Sequence, residues 1–292
     1  MLASPLDPLV CTHLKLGMSE SEIPLTGGAD SNVVRIGDTV RRRGRAWSSA
    51  VLNLLRHIEH QGFEGAPRAY GFDDQGRECL TYIEGEVGLG KGFIPDQYGR
   101  FDVRLPDYVW SDRALVHLGK LLRSYHDAAA SFLWNDRNWR IEPREPVETI
   151  CHNDLSPWNT VFQAGLPVAF IDWDAAAPGP RSWDLGFIAW RWVPFWRDGK
   201  CEAHGLPKGV REKARRFQLF LDAYGIEPDI EIMRAAIERV RQMQEHMRNL
   251  AASGSPWEME LERRGVLNEG ALEIAWMEEH ARELVQRFSA SS

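Results

Sequence analysis

The sequence predicts an α+β protein of two lobes, an antiparallel sheet with one helix followed by a mainly helical lobe. Two hairpin signals, at Gly37-Asp38 and from Asp73 to Gly76, lie ahead of residue 84 between apolar and β-branched runs. After Asp112, long stretches with apolar residues three and four apart dominate the chain. Among those stretches sits one isolated strand pair, between Asn159 and Ile171. The expected division is 1–84 for the first lobe and 85–292 for the second, and the 292 residues suit one large or two medium domains.

Taken in order, residues 1 to about 20 show no periodic pattern and are expected to be an irregular leader. Gly27-Gly28 and Ser31-Asn32 then precede a hairpin of Val33 to Ile36 and Thr39 to Arg42, turned at Gly37-Asp38. Alternation places Val40 and Arg42 on one face of the second strand. Val51, Leu54, Leu55 and Ile58 are spaced for a helix over Ser48 to His60, with Ser48 or Ser49 available as its cap. Gly71 to Tyr82 reads as a second hairpin and Gly85 to Pro106 as irregular loop. Leu115, Leu118, Leu122 and Tyr125 predict a helix over Asp112 to Phe132, with His126 a hydrogen-bonded core residue on it. Three more helices are expected near 208–224, 229–252 and 268–288.

Composition narrows the function classes. A net charge of −7, with no basic cluster beyond Arg41-Arg42-Arg43 and Arg45, argues against nucleic acid as the main partner. No apolar run approaches the roughly 18 residues of a membrane helix. With no charged segment followed by a long apolar run at the N-terminus, a cytoplasmic location away from membranes is expected. Cys11, Cys79, Cys151 and Cys201 are scattered, so reduced thiols are expected rather than disulfides or a zinc site.

The chemistry concentrates between Thr149 and Ala189. His152-Asn153-Asp154 is followed by Asn159 five residues after the Asp, and the apolar run Val168 to Ile171 delivers Asp172 thirteen residues further on. Strands at Asn159 to Phe162 and Pro167 to Ile171, turned at Gly165, would return Asp172 to the side of Asn159. Phosphoryl transfer needs an Asp near the acceptor hydroxyl, an Asn as one magnesium ligand and a strand-end Asp as the other. Asp154, Asn159 and Asp172 fit those three places.

This segment resembles the catalytic core of the aminoglycoside phosphotransferase and choline kinase-like families, relatives of the protein kinases. His152-Asn153-Asp154-Leu155 with Asn159 is similar to their H-x-D-(x4)-N loop, Ile171-Asp172-Trp173-Asp174 to their metal strand, and Trp183-Asp184-Leu185-Gly186 to the D-L-[AG] segment that follows. The resemblance implies a protein-kinase-like fold with ATP or GTP and Mg2+, Asp154 as catalytic residue, and Asn159 and Asp172 as metal ligands. It implies that Arg42, or Arg41 in the neighbouring register, contacts the phosphates, and that backbone at Gly28 and Ser31 approaches them. It also implies that main-chain groups of Thr81 and Ile83 receive the base, with Leu80 behind. Asp184 is expected to brace the catalytic loop, with Asp174 holding the metal's water shell or serving as a turn residue. The resemblance implies a small acceptor bearing a hydroxyl or, less often, an amine, a cationic aminoglycoside being the family example. Trp190, Trp192, Trp196 and the acidic Asp198, Glu202, Glu258 and Glu260 are its candidate contacts. One departure stands out: the helix position that usually pairs an acid with the strand cation holds Val51. Two other functions stay open, a nucleotide- or small-molecule-binding protein without turnover and a phosphohydrolase using Asp172 with Asp174.

Overall fold

Gly37, at φ 56°, supplies the left-handed first position of the two-residue turn that joins β2 (Val34–Ile36) to β3 (Thr39–Arg43). The computed structural model describes residues 21–25, 33–89, 105–134 and 137–286. The leader at 1–20, with Cys11, and the Gly28 and Ser31 candidates lie outside the described residues. β1 (Ile23–Pro24) pairs with β2, and the five-stranded antiparallel sheet is completed by β4 (Ala69–Phe72) and β5 (Arg77–Thr81) in the order β1-β2-β3-β5-β4. The second hairpin is closed by Asp73, whose Oδ1 accepts from the N–H groups of Gln75 and Arg77.

Helix α1 (Ser48–His60) spans the predicted residues and buries Val51, Leu54, Leu55 and Ile58. Its cap differs from expectation. Trp47 occupies the cap position without a side-chain hydrogen bond, because the hydroxyl of Ser48 is engaged elsewhere.

The chain leaves the first sheet after Thr81, and β6 (Glu86–Val87), within a stretch expected to be loop, pairs with β8 (Thr160–Gln163). Two backbone hydrogen bonds cannot be inferred from a two-residue composition, so this strand was invisible to pattern reading. β8 and β9 (Leu166–Phe170) form the anticipated hairpin. Ala164 and Gly165 both take positive φ (49° and 75°), as a type I′ turn requires. β7 (Thr149–Cys151) pairs with β10 (Ala177–Gly179) beside it.

Helix α2 (Asp112–Ala129) is the spine of the second lobe: Leu115, Leu118, Leu122 and Tyr125 have no solvent exposure. Each such side chain contributes roughly 1.5–3 kcal/mol relative to exposure. It ends earlier than predicted, and Phe132 instead folds back so that its ring meets His57 edge-on at 5.2 Å. α3 (Arg181–Arg191), α5 (Val210–Tyr224), α6 (Ile230–Ala252) and α8 (Val266–Leu284) complete the bundle. Two short helices were not anticipated. α4 (Asp198–Ala203) is too brief to show a period, and α7 (Pro256–Arg263) begins on Pro256, a residue read as a breaker that is equally at home in a first helical turn. The glycine of the Asp184-Leu185-Gly186 motif has a packing reason: a Cβ at Gly186 would lie 2.5 Å from the backbone nitrogen of Ala236, so α3 and α6 touch there.

Cys79, Cys151 and Cys201 are buried free thiols. No helix among the described residues is long and apolar enough to cross a membrane.

Candidate active site

The hairpin returns the chain as expected. Ile171 N–H donates to the carbonyl of Asn159 at 2.9 Å, which sets Asp172 beside the catalytic loop. Asp172 takes the left-handed conformation (φ 60°, ψ 66°), and so does Asn153 (φ 67°) one residue before Asp154. Asn and Asp tolerate this backbone better than other non-glycine residues, and its cost is borne here by the surrounding hydrogen bonds.

Asp154 is held at both oxygens. Ser156 Oγ donates to Oδ1 at 2.8 Å, and Asn159 Nδ2 donates to Oδ2 at 2.8 Å and to the Asp154 carbonyl at 3.0 Å. With its amide nitrogen committed, Asn159 presents its Oδ1 as the remaining donor atom. Withdrawal from water raises the Asp172 carboxyl above the usual carboxylate value, Asp174 and Asp154 add to this, and Arg42 and Arg140 oppose it. Asn159 and Asp172 are oxygen donors suited to a hard cation that keeps several waters, and Arg42 already occupies the cationic position, its Nη1 3.4 Å from Asp172 and its Nη2 2.6 Å from Asp174. The residues therefore fit magnesium. Among the described residues no group of three His, Cys, Asp or Glu side chains is assembled for a metal.

Strand register turns the two arginines to opposite faces. Arg42 faces the cleft, whereas Arg41 points the other way and lies 3.6 Å from Asp73. Directly across from Arg42 in the sheet stands Glu78, fully buried, and it accepts from Arg42 Nε at 2.5 Å. Ser48 at the start of α1 donates its hydroxyl to the other Glu78 oxygen and accepts from Arg45 N–H. Glu78 is thus the acidic partner that α1 lacks. The signal was present in the sequence: period-two alternation puts Glu78 on the same face as Leu80, an acid where an apolar residue would be expected. Burial disfavours the Arg42 charge, but Glu78, Asp174 and Asp172 outweigh it and its pKa is raised. Glu78→Gln is expected to weaken Mg-nucleotide binding about tenfold or more by loosening Arg42, the worth of one charge-assisted hydrogen bond, as read by calorimetry.

At the predicted base-binding segment, Leu80 stands opposite Val40 on the face that carries Arg42. Thr81 is already committed: its N–H donates to the Arg68 carbonyl at 3.0 Å and its hydroxyl accepts from Arg68 N–H. Ile83, two residues on, has no backbone hydrogen-bond partner among the described residues.

Beneath the loop, Asp184 braces it from the first turn of α3. Its carboxylate accepts from the N–H groups of His152 (2.7 Å) and Asn153 (2.9 Å) and pairs with His126 Nε2 (3.1 Å). His126 Nδ1 meets the Tyr224 hydroxyl at 2.8 Å, making His126 a satisfied core residue. Trp192 Nε1 donates to the Leu155 carbonyl at 2.6 Å and adds a second brace. Burial lowers the pKa of His126 and His152, with Asp184 opposing. Burial raises Asp184, but the bonds and charge of His126 and the His152 N–H outweigh it and its pKa is lowered. Below the ordinary histidine value of about 6.5 the unfolded chain binds protons that the folded chain does not, and below about 4 the same holds for Asp184. Thermal stability is expected to be flat above neutral pH and to fall steadily from pH 6.5 downward, measured by melting temperature across pH 4–8.

The four acidic acceptor candidates are engaged locally. Asp198 pairs with Lys213 at 2.7 Å, Glu202 with Lys208 at 2.9 Å, Glu260 with Arg263, and Glu258 accepts from Ser255. Trp190, Trp192 and Trp196 are buried, and Trp190 donates to Glu273.

An antiparallel sheet whose cation meets an Asp pair across a cleft, above a braced H-x-D loop, defines the protein-kinase-like fold and its cleft. Residues 22–217 match the phosphotransferase enzyme family, and the chain belongs to that family. A trifolitoxin immunity protein from Rhizobium leguminosarum bv. trifolii is 39% identical over 214 residues, covering 70% of this chain and 74% of its own. The fold is shared with a choline/ethanolamine kinase family protein from Mesorhizobium loti (TM-score 0.52, 16% identity, 90% of this chain and 94% of that one). It is also shared with a spectinomycin phosphotransferase solved with ADP and spectinomycin (TM-score 0.51, 14% identity, 90% and 92%).

Proposed function

We propose that this chain transfers the terminal phosphoryl group of ATP or GTP to a hydroxyl of a small acceptor, with magnesium held by Asn159 and Asp172. The observation that carries this reading is the convergence of Asp154, Asn159 and Asp172 on one side of the cleft and the Glu78-held Arg42 on the other. Asp154 accepts the hydroxyl proton at whichever carboxylate oxygen the acceptor reaches, while Ser156 and Asn159 fix its plane. Arg42 steadies the phosphates, a role its permanent charge and forked donors suit. Bound magnesium supplies charge neutralisation of the phosphate oxygens. Phosphoryl transfer passes through a loose transition state, so positioning and charge matter more than base strength.

Glu78 weakens one of the two supports for a binding protein without turnover, since an acid pairs with Arg42 from β5 rather than from α1. The Rhizobium relative is named for immunity to trifolitoxin, which supports a protective role for phosphorylation here. The test is calorimetry with ATP and GTP, with and without magnesium, followed by a mass-shift screen of hydroxyl compounds. Magnesium-dependent nucleotide binding and a phosphorylated product are expected; no binding of either nucleotide and no product would end this reading.

A further inference from the structure

Two guanidiniums reach the catalytic loop from the helical lobe without a carboxylate of their own. Arg191, at the end of α3, lies over the Trp190 ring at 3.9 Å and the Trp158 ring at 5.4 Å, and Trp158 is the residue before Asn159. Its Nη2 meets only the Met243 sulfur at 3.9 Å, and its buried Nε has no partner. Arg239, on α6, donates to the Asn153 carbonyl, next to Asp154, and lies over the Phe187 and Trp183 rings at 4.7 and 5.1 Å. Among the described residues neither forms an ion pair, whereas Lys200, Arg197 and Lys213 nearby each have an acid.

The neighbouring carboxylates are committed. Glu273 takes Lys200 and Trp190 Nε1, Asp184 takes His126 and the loop N–H groups, and Asp154 takes Ser156 and Asn159. Burial lowers both guanidinium pKa values; Glu273 and Asp154 oppose it at Arg191, where Arg239 adds to it, and Asp184 and Asp154 oppose it at Arg239, where Arg144 adds to it. Buried charges in folded proteins are paired or hydrogen-bonded, and here the nearby carboxylates act on the two guanidiniums only at a distance, leaving the buried Arg191 Nε without an acceptor.

We infer that Arg191 and Arg239 receive an oxyanion, a carboxylate or a phosphate, carried by the acceptor itself, and so orient its hydroxyl toward Asp154. This rests on the phosphotransfer reading and sharpens it: the acceptor is anionic, in contrast to the cationic compounds that the family resemblance suggests. The guanidinium fork matches both oxyanions in geometry, and the flanking indole rings hold each fork in plane. An ammonium group in the same place would meet two positive charges.

The test is calorimetry on the full chain, preloaded with ADP and magnesium to fill the nucleotide cleft, at constant ionic strength. The probes are glycerate and inorganic phosphate, against glycerol and choline. Saturable binding of glycerate, phosphate or both is expected, the arm that binds telling carboxylate from phosphate, with no binding of glycerol or choline. Arg191→Gln should weaken the anion at least about tenfold, the worth of a charge-assisted hydrogen bond. Arg239→Lys, which keeps the charge and loses the fork, should weaken it less and serves if the first variant does not fold. Choline or glycerol binding as tightly as the anions, no anion binding, or anion binding unchanged in both variants would overturn the assignment. These titrations follow binding and not turnover, so their failure removes the acceptor class alone, while failure of the nucleotide screen removes phosphotransfer.

Discussion

Asp154→Asn is expected to lower kcat for phosphotransfer by about 100- to 10,000-fold, the usual span for losing a positioned proton acceptor. The substitution keeps size and shape but removes the site that takes the hydroxyl proton. It also leaves a single acceptor oxygen, which can serve Asn159 Nδ2 only if the Ser156 hydroxyl turns to accept from the new amide, so two charge-assisted bonds become neutral ones. A modest loss of stability, about 1–2 kcal/mol, should accompany the loss of rate. Nucleotide affinity is set by other residues and should change far less than kcat. Single-turnover kinetics beside a thermal melt separates these effects. A variant with kcat within threefold of the parent would place the proton acceptor elsewhere.

The second large effect is on the loop's support. Asp184→Ala removes three acceptor contacts at once, to His126 Nε2 and to the backbone of His152 and Asn153, and leaves those three buried N–H groups without this partner. The expected cost is about 3–5 kcal/mol, in the range for breaking a buried charged network. For a chain of this size that corresponds to a fall in Tm of roughly 10 °C. Because Asn153 sits in a left-handed backbone that those bonds sustain, activity should fall with stability. Asp184→Asn retains one acceptor oxygen and should recover part of both. A variant that melts normally would show that Trp192 and Arg239 suffice to hold the loop.

Sequence was most informative where function depends on short spacing. The offset from Asp154 to Asn159 became a direct hydrogen bond, and the one on to Asp172 became a backbone bond from Ile171 to Asn159, because Gly165 permits the tight turn that brings two short strands together. Alternation put Arg42 on the face of Val40, and the family resemblance nominated it ahead of Arg41. Glu78 escaped because the expectation looked along the chain to the next helix, whereas the partner came from across the sheet, and strand pairing is not a local property. The acidic residues Asp198 and Glu202 could be read either as acceptor contacts or as a solvated helix face, because cationic neighbours fifteen and six residues away leave no local pattern. Arg191 and Arg239 carry no local signal at all, since only the crossing of α3 and α6 places both beside the same loop.

The Arg42 bridge has a consequence for the resting protein. A guanidinium anchored to one sheet and already neutralising Asp172 and Asp174 of the other lobe works as a tethered counter-ion. On the proposed reading an incoming dication would not fill bare acid; it would have to displace a cation that cannot diffuse away. That exchange would set a threshold, since stray metal ions would meet an occupied carboxylate pair. A phosphate that can accept the released guanidinium makes the displacement favourable. Metal and nucleotide should consequently bind as one cooperative event, and the protein should hold magnesium poorly until its nucleotide arrives.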